Sequence, residues 1–133
     1  MFYQKPVSTS DHSQFVNITD LVQEALKESR VKSGVITVFV AHTTAGVTIN
    51  ENTDPDVRSD LLKILDEKIP WNNPAYRHAE GNTAAHMKAS LMGSSVQIIV
   101  DRGRLKLGIW QGVYFCEFDG PRQRQISIKI QAD

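Results

Sequence analysis

Three of the four histidines, His42, His78 and His86, stand among polar neighbours at expected element ends or on a polar helix. Neutral imidazole is the commonest side-chain metal ligand and suits zinc and its neighbours. Three protein ligands with one open position make the catalytic zinc pattern. The spacing of eight between His78 and His86 matches no standard motif. On residue types alone, a solvated loop and a solvated helix face are the plainer account. The run Asn50-Glu51-Asn52-Thr53-Asp54-Pro55-Asp56 is the densest in oxygen ligands. Such groups suit a hard cation such as magnesium beside substrate phosphates. Asp54 and Asp56 have a simpler use, as cap and dipole partner of the helix that follows, whereas Glu51 stays open to either role. Arg102, Arg104, Arg122 and Arg124 flank two expected turns and could hold phosphate in bidentate fashion, although a solvated rim is the ordinary reading.

Other signals are weaker. Cys116 lies in an apolar strand and reads as a small core residue rather than a nucleophile. Trp110 and Tyr114 read as core or interface. Glu117 and Asp119 sit at the end of the same aromatic-rich run, where a charge needs a partner. There is no Walker loop, G-x-G-x-x-G, G-x-S-x-G, H-E-x-x-H or C-x-x-C.

The elements that must position these groups follow from periodicity. Phe2 to Ser8 reads as an opening strand. Thr19 can cap a helix running to about Lys32, with Leu21, Val22, Ala25 and Leu26 on its buried face and Gly34 ending it. Val35 to Ala41 reads as a strand buried on both faces. Val47 to Glu51 reads as its return partner across an Ala45-Gly46 turn. Asp54-Pro55 opens a second helix with Val57, Leu61, Ile64 and Leu65 at helical spacing, and Pro70 ends it. A third helix runs from Asn82 or Thr83 through Met92 and closes at Gly93. Strands are expected over Val96 to Asp101, Arg104 to Leu107, Ile109 to Glu117 and Arg124 to Gln131. In the last, Ile126, Ile128 and Ile130 share one face. The expected class is α+β: a largely antiparallel sandwich or barrel-like sheet with about three helices.

Composition bounds the rest. The 133 residues suit one domain spanning 1–133. Fifteen basic and fifteen acidic side chains cancel, so the basic excess of a general nucleic-acid binder is missing. A single cysteine fits a reducing, cytoplasmic compartment. No run is long and apolar enough for a membrane helix, and no signal peptide is expected at the start.

Three long ungapped stretches then carry a resemblance: His42-Thr43-Thr44-Ala45-Gly46-Val47-Thr48-Ile49-Asn50-Glu51-Asn52 with Asp54 to Val57; Tyr76-Arg77-His78 with Glu80-Gly81-Asn82 and Ala85-His86-Met87-Lys88; and Gly103 to Gly108 with Trp110 to Arg122. The chain resembles the YjbQ family, also described as the secondary thiamine-phosphate synthase family. The resemblance implies a compact α+β domain with a large, mostly antiparallel sheet, a homotrimer, and a transferase joining hydroxymethylpyrimidine pyrophosphate to thiazole phosphate as a secondary activity. It implies His42, His78 and His86 as ligands of a divalent metal ion, zinc as purified or magnesium in turnover. The family pattern places an acidic residue between Asn82 and His86; Thr83-Ala84-Ala85 supplies none, which leaves Glu80 or Glu51 as general base. Asn82, one turn before His86, could orient a ligand or water. Arg104 and Arg122, with the hydroxyls of Thr43 and Thr44, could bind a small phosphorylated substrate. Whether the chain is an enzyme stays open: a metal-dependent hydrolase and a non-catalytic anion-binding or assembly protein fit the same residues. The apolar strand Val113 to Phe118 could supply a face buried between subunits.

Overall fold

A computed structural model describes residues Met1–Asp133. The chain runs β1 (Phe2–Ser8), β2 (Gln14–Asn17), α1 (Thr19–Ser29), β3 (Gly34–Phe39), β4 (Ala45–Glu51), α2 (Pro55–Lys68), α3 (Thr83–Met92), β5 (Ser95–Asp101), β6 (Arg104–Leu105), β7 (Gln111–Glu117) and β8 (Gln123–Ala132). Three helices and two antiparallel sheets make an α+β fold, as the alternation after Gly93 and the helical spacing before it imply. One sheet has the order β1-β8-β3-β5-β6 and the other β2-β7-β4.

The main core lies where the inner face of the five-stranded sheet meets β7, β4 and α1. Register explains it. Ile36 lies opposite Ile130 on one side and Ile98 on the other, and Val38 lies opposite Ile128. Directly opposed β-branched pairs pack well on a pleated surface. Each such fully buried side chain contributes about 1.5–3 kcal/mol. A smaller cluster of Phe15, Ala85, Ala89, Tyr114, Cys116 and Phe118 joins α3 to the outer side of β7, with Leu61, Leu62 and Leu65 of α2 packed against it.

Several expectations need correction. Val47 to Glu51 does not pair with β3: β3 pairs with β5 and β8, and β4 pairs with β7. Ala45-Gly46 is not a turn but the start of β4. Gly46 is small because α3 passes over it; a Cβ there would meet the Gly93 carbonyl oxygen at 2.7 Å. The chain changes sheets over Val40 to Thr44, the stretch that carries His42. β3 is buried on one face only, and Phe39, with Ile99 of β5 on the same face, points outward with nothing over it. Val113 to Phe118 is wholly buried within the chain and offers no face to a second copy. α1 stops at Arg30, which takes the left-handed conformation at φ 60° and donates its N–H to the Lys27 carbonyl, so Gly34 does not end it. Thr19 is its first residue and Ile18 holds the cap position; the Asn17 side-chain Oδ1 accepts from the Thr19 N–H at 3.0 Å. On α2 no residue is fully buried and Ile64 is exposed. Asp54 does cap α2, accepting from the Asp56 N–H at 2.9 Å, with Pro55 at the first helical position.

Candidate functional site

The crossing between sheets positions the chemistry. His42 follows β3, and its Nε2 lies 3.2 Å from both the N–H and the carbonyl oxygen of Gln125 in β8. That leaves Nδ1 free for a ligand. The ring also meets Phe115 edge-on, with centroids 6.3 Å apart. Partial burial pulls the His42 imidazole below its ordinary value, and the Arg124 guanidinium adds to the depression. The ring is therefore neutral at pH 7.

Beneath it lies a buried ion pair. Arg124 Nε donates to Glu117 Oε1 at 2.8 Å, and an Nη donates to Oε2 at 2.5 Å. The same Nη group donates to the Thr44 hydroxyl at 2.9 Å. Glu117 also accepts from the Thr9 hydroxyl at 2.8 Å and from the N–H groups of Phe118 and Asp119 at 3.1 and 3.0 Å. Burial alone would push the Glu117 carboxyl up, but Arg124 and these donors together hold it below the usual range. Burial pushes the Cys116 thiol far up, so it is no nucleophile.

Above the pair opens a polar cleft of about 480 Å³, lined by His42, Thr43, His86, Ser90 and Ser94, with Ala45, Ala89 and Gly93. α3 delivers His86 and Ser90 on one face, four residues apart, and the Ser90 hydroxyl donates to the His86 carbonyl at 2.9 Å. His78 comes from the loop before α3 and packs edge-on against His86, with ring centroids 5.3 Å apart.

The other expected site residues lie apart. Thr44 is buried under the cleft against Arg124. Asn82 donates to Asp119 Oδ2 at 2.9 Å, and Arg122 grips the same Asp119 through its carbonyl and carboxylate. Glu51, at the far end of β4, accepts from the Thr53 N–H at 2.9 Å. Glu80 is exposed in its loop. Arg104 lies on β6 beside Lys27, Arg30 and Lys32 of the α1 end. Sequence reasoning missed Ser90, Ser94 and the joining of Glu117 to Arg124. The period-two alternation held a signal for the last: Arg124 is in phase with Ile126, Ile128 and Ile130 on the inward face.

The metal expectation fails on geometry. Nowhere do three His, Cys, Asp or Glu side chains stand close enough to share an ion. His42 and His86 border one cleft, but His78 does not line it and no carboxylate or thiol joins them there. The residues of the chain thus do not fit the divalent ion implied by the resemblance, and a metal-dependent transferase or hydrolase is set aside.

Comparison with known proteins gives a consistent picture. The family described as UPF0047 protein YjbQ-like matches residues 4–133. The UPF0047 protein YugU of Bacillus subtilis is 52% identical over 124 residues, covering 93% of this chain and 94% of that protein. A UPF0047 protein of Methanocaldococcus jannaschii is 45% identical over 135 residues, covering 100% of this chain and 96% of that one. A solved YjbQ/UPF0047 family protein from Clostridium acetobutylicum is 55% identical with a TM-score of 0.95, covering 97% of this chain and 99% of that one. The names of these relatives carry no synthase, transferase or metal. With no ion site assembled either, the thiamine-phosphate synthase expectation is overturned. No helix is long and apolar enough to cross a membrane.

Proposed function

The chain belongs to the YjbQ-like UPF0047 family, and from that premise we propose that the His42–His86 cleft binds a small phosphorylated molecule that also carries hydroxyl or amino donors. One observation carries the reading: two imidazoles from different elements border a single cleft together with the hydroxyls of Thr43, Ser90 and Ser94. A cleft of about 480 Å³ is the size of a small-molecule site. His42 is held by backbone on one side, so its free nitrogen is presented without loss of side-chain freedom on binding. Imidazole N–H groups and hydroxyls suit phosphoryl oxygens. The ligand's own donors suit the other end, where Ala89, Ser90 and Gly93 bring the C-terminal end of α3 to the cleft, an end that favours positive or donor groups.

The test is an NMR titration of histidine-labelled protein with glycerol 3-phosphate, inorganic phosphate and glycerol. His42 and His86 resonances shift together with glycerol 3-phosphate, more weakly with phosphate, and not with glycerol. His42→Ala or Ser90→Ala lowers the affinity. Absence of saturation at millimolar ligand, or shifts confined to His78, refutes the reading.

We propose further that the protein is a homotrimer working in the cytoplasm. The outer face of the five-stranded sheet supports assembly: Ile99 is 63% exposed, Phe2 58% and Phe39 44%, with no layer covering them. The number three is what the family resemblance implies. Light scattering that gives a monomer mass at micromolar concentration refutes it, and Ile99→Asp should dissociate the assembly. A single buried thiol suits a reducing compartment.

A further inference from the structure

The end of α1 and the β5–β6 hairpin form a second groove, of about 610 Å³. Lys27, Arg30, Lys32 and Arg104 line it, and Arg102 and Lys106, with the single carboxylate of Asp101, line the groove that adjoins it at Arg104. The chain has four ion pairs, and none of these six side chains takes part in one. In a chain with no net charge, six unpaired cations against the one carboxylate of Asp101 are a local concentration, not a reflection of composition. The dipole of α1 accounts for Lys27 in its last turn and Arg30 at its C-terminal cap. It does not account for the hairpin cations that face them.

The two arms are tied together. The Gly103 N–H donates to the Lys32 carbonyl at 3.0 Å, and the Lys32 stem lies over Gly103. The rim is therefore preformed despite its self-repulsion. Arg30 and Arg102 are also the only non-glycine residues at positive φ, 60° and 53°. An arginine in this conformation costs backbone energy that glycine would not. Both such positions flank one groove, where local cost is retained in favour of charge. The floor is apolar, built from Leu26, Val31 and Leu105.

We propose that this groove binds a polyphosphate chain, free or carried on a nucleoside. Clustered cations match the closely spaced charges of linked phosphates, and guanidinium groups pair with them in bidentate fashion. The apolar floor offers a surface for a nucleoside. This site stands apart from the His42 cleft and does not depend on it.

The test is calorimetric titration of the whole protein, at low salt and without added metal, with tripolyphosphate and with ATP. Both should bind saturably, and more weakly as salt rises. Arg30→Gly with Arg102→Gly removes two cations while suiting the backbone better, so the fold is kept; affinity should drop about tenfold or more. Lys129→Gln, on the outer sheet face, should leave binding unchanged. Tighter binding of ATP than of tripolyphosphate assigns the nucleoside form, and equal binding assigns the free chain. Absence of saturable binding, or affinity unchanged in the double glycine variant, overturns the proposal. So does tighter capture of single-stranded RNA through the same residues, which would make the face a nucleic-acid surface.

Discussion

Replacing Arg124 with Met strips the buried Glu117 of its only cation. Glu117 has no exposed side-chain surface and Arg124 only 6%. The change removes two of the five donors on the carboxylate, leaving Thr9 and the N–H groups of Phe118 and Asp119. Breaking a buried ion pair by removing one partner costs about 3–5 kcal/mol. Against a total stability of roughly 5–15 kcal/mol, that is about a fifth of the fold's margin or more. At about 2–4 °C per kcal/mol for a chain of this size, melting should fall by roughly 6–20 °C. The cost arises from the stranded charge, which gives two checks. Glu117→Gln added to Arg124→Met keeps an acceptor for the backbone donors and removes the charge, so it should recover much of the loss. Lower pH should also narrow the gap: burial no longer offset by Arg124 raises the Glu117 pKa above its unfolded value, so protonation relieves the variant. In the same variant the His42 pKa should rise, because Arg124 no longer opposes its protonation. Urea denaturation at pH 7 and 5, with histidine NMR, measures all of these. A loss under about 1 kcal/mol, or a double variant as unstable as the single one, would refute the reasoning.

Three further outcomes follow from the geometry. The intact protein should lose stability in two acid windows: His42, with its folded pKa lowered, is destabilising to protonate as pH falls from about 6.5, and Glu117 only below the ordinary carboxylate range; His42→Gln should flatten the first window in denaturation curves and spare the second. Asp54→Ala removes the cap of α2 and should cost about 1 kcal/mol by urea denaturation. Gly34→Ala places a Cβ 2.0 Å from the Gln131 carbonyl oxygen, which forces β3 and β8 apart, and should yield little folded protein by circular dichroism.

The elements were legible wherever one physical signal governed them. Asp54-Pro55 marks a helix start by hydrogen bonding and fixed φ, and Ile126, Ile128 and Ile130 mark an inward face by alternation. β2 left no such trace: four residues, Gln14–Asn17, become a strand only because β7 accepts them at its edge. The pairing of β4 was misjudged for a related reason. Ala45-Gly46 has the composition of a turn, but its smallness answers a helix passing overhead, a tertiary contact that nearby sequence does not contain. The histidines were legible as chemistry and not as geometry. Residue type says what His78 could ligate; only the packed loop reveals that it sits against His86 outside the cleft that His42 and His86 share.

Glu117 and Arg124 explain why the cleft sits where it does. Arg124 belongs to β8 of the five-stranded sheet and Glu117 to β7 of the three-stranded one. Thr44 lies where the crossing chain joins β4, and Thr9 lies just after β1; both donate to or accept from the pair. The ion pair therefore staples the two sheets at the one place where β3 must hand over to β4. A hydrophobic pair could fill that space with equal or greater stability. It could not fix the handover in direction, since apolar contacts are not directional whereas each donor on Glu117 has one acceptable geometry. His42 occurs two residues before Thr44 and takes its second anchor from Gln125, the residue after Arg124. The orientation of the imidazole is thus set through backbone by the same staple, and with it the wall of the cleft that His42 and Thr43 form opposite α3.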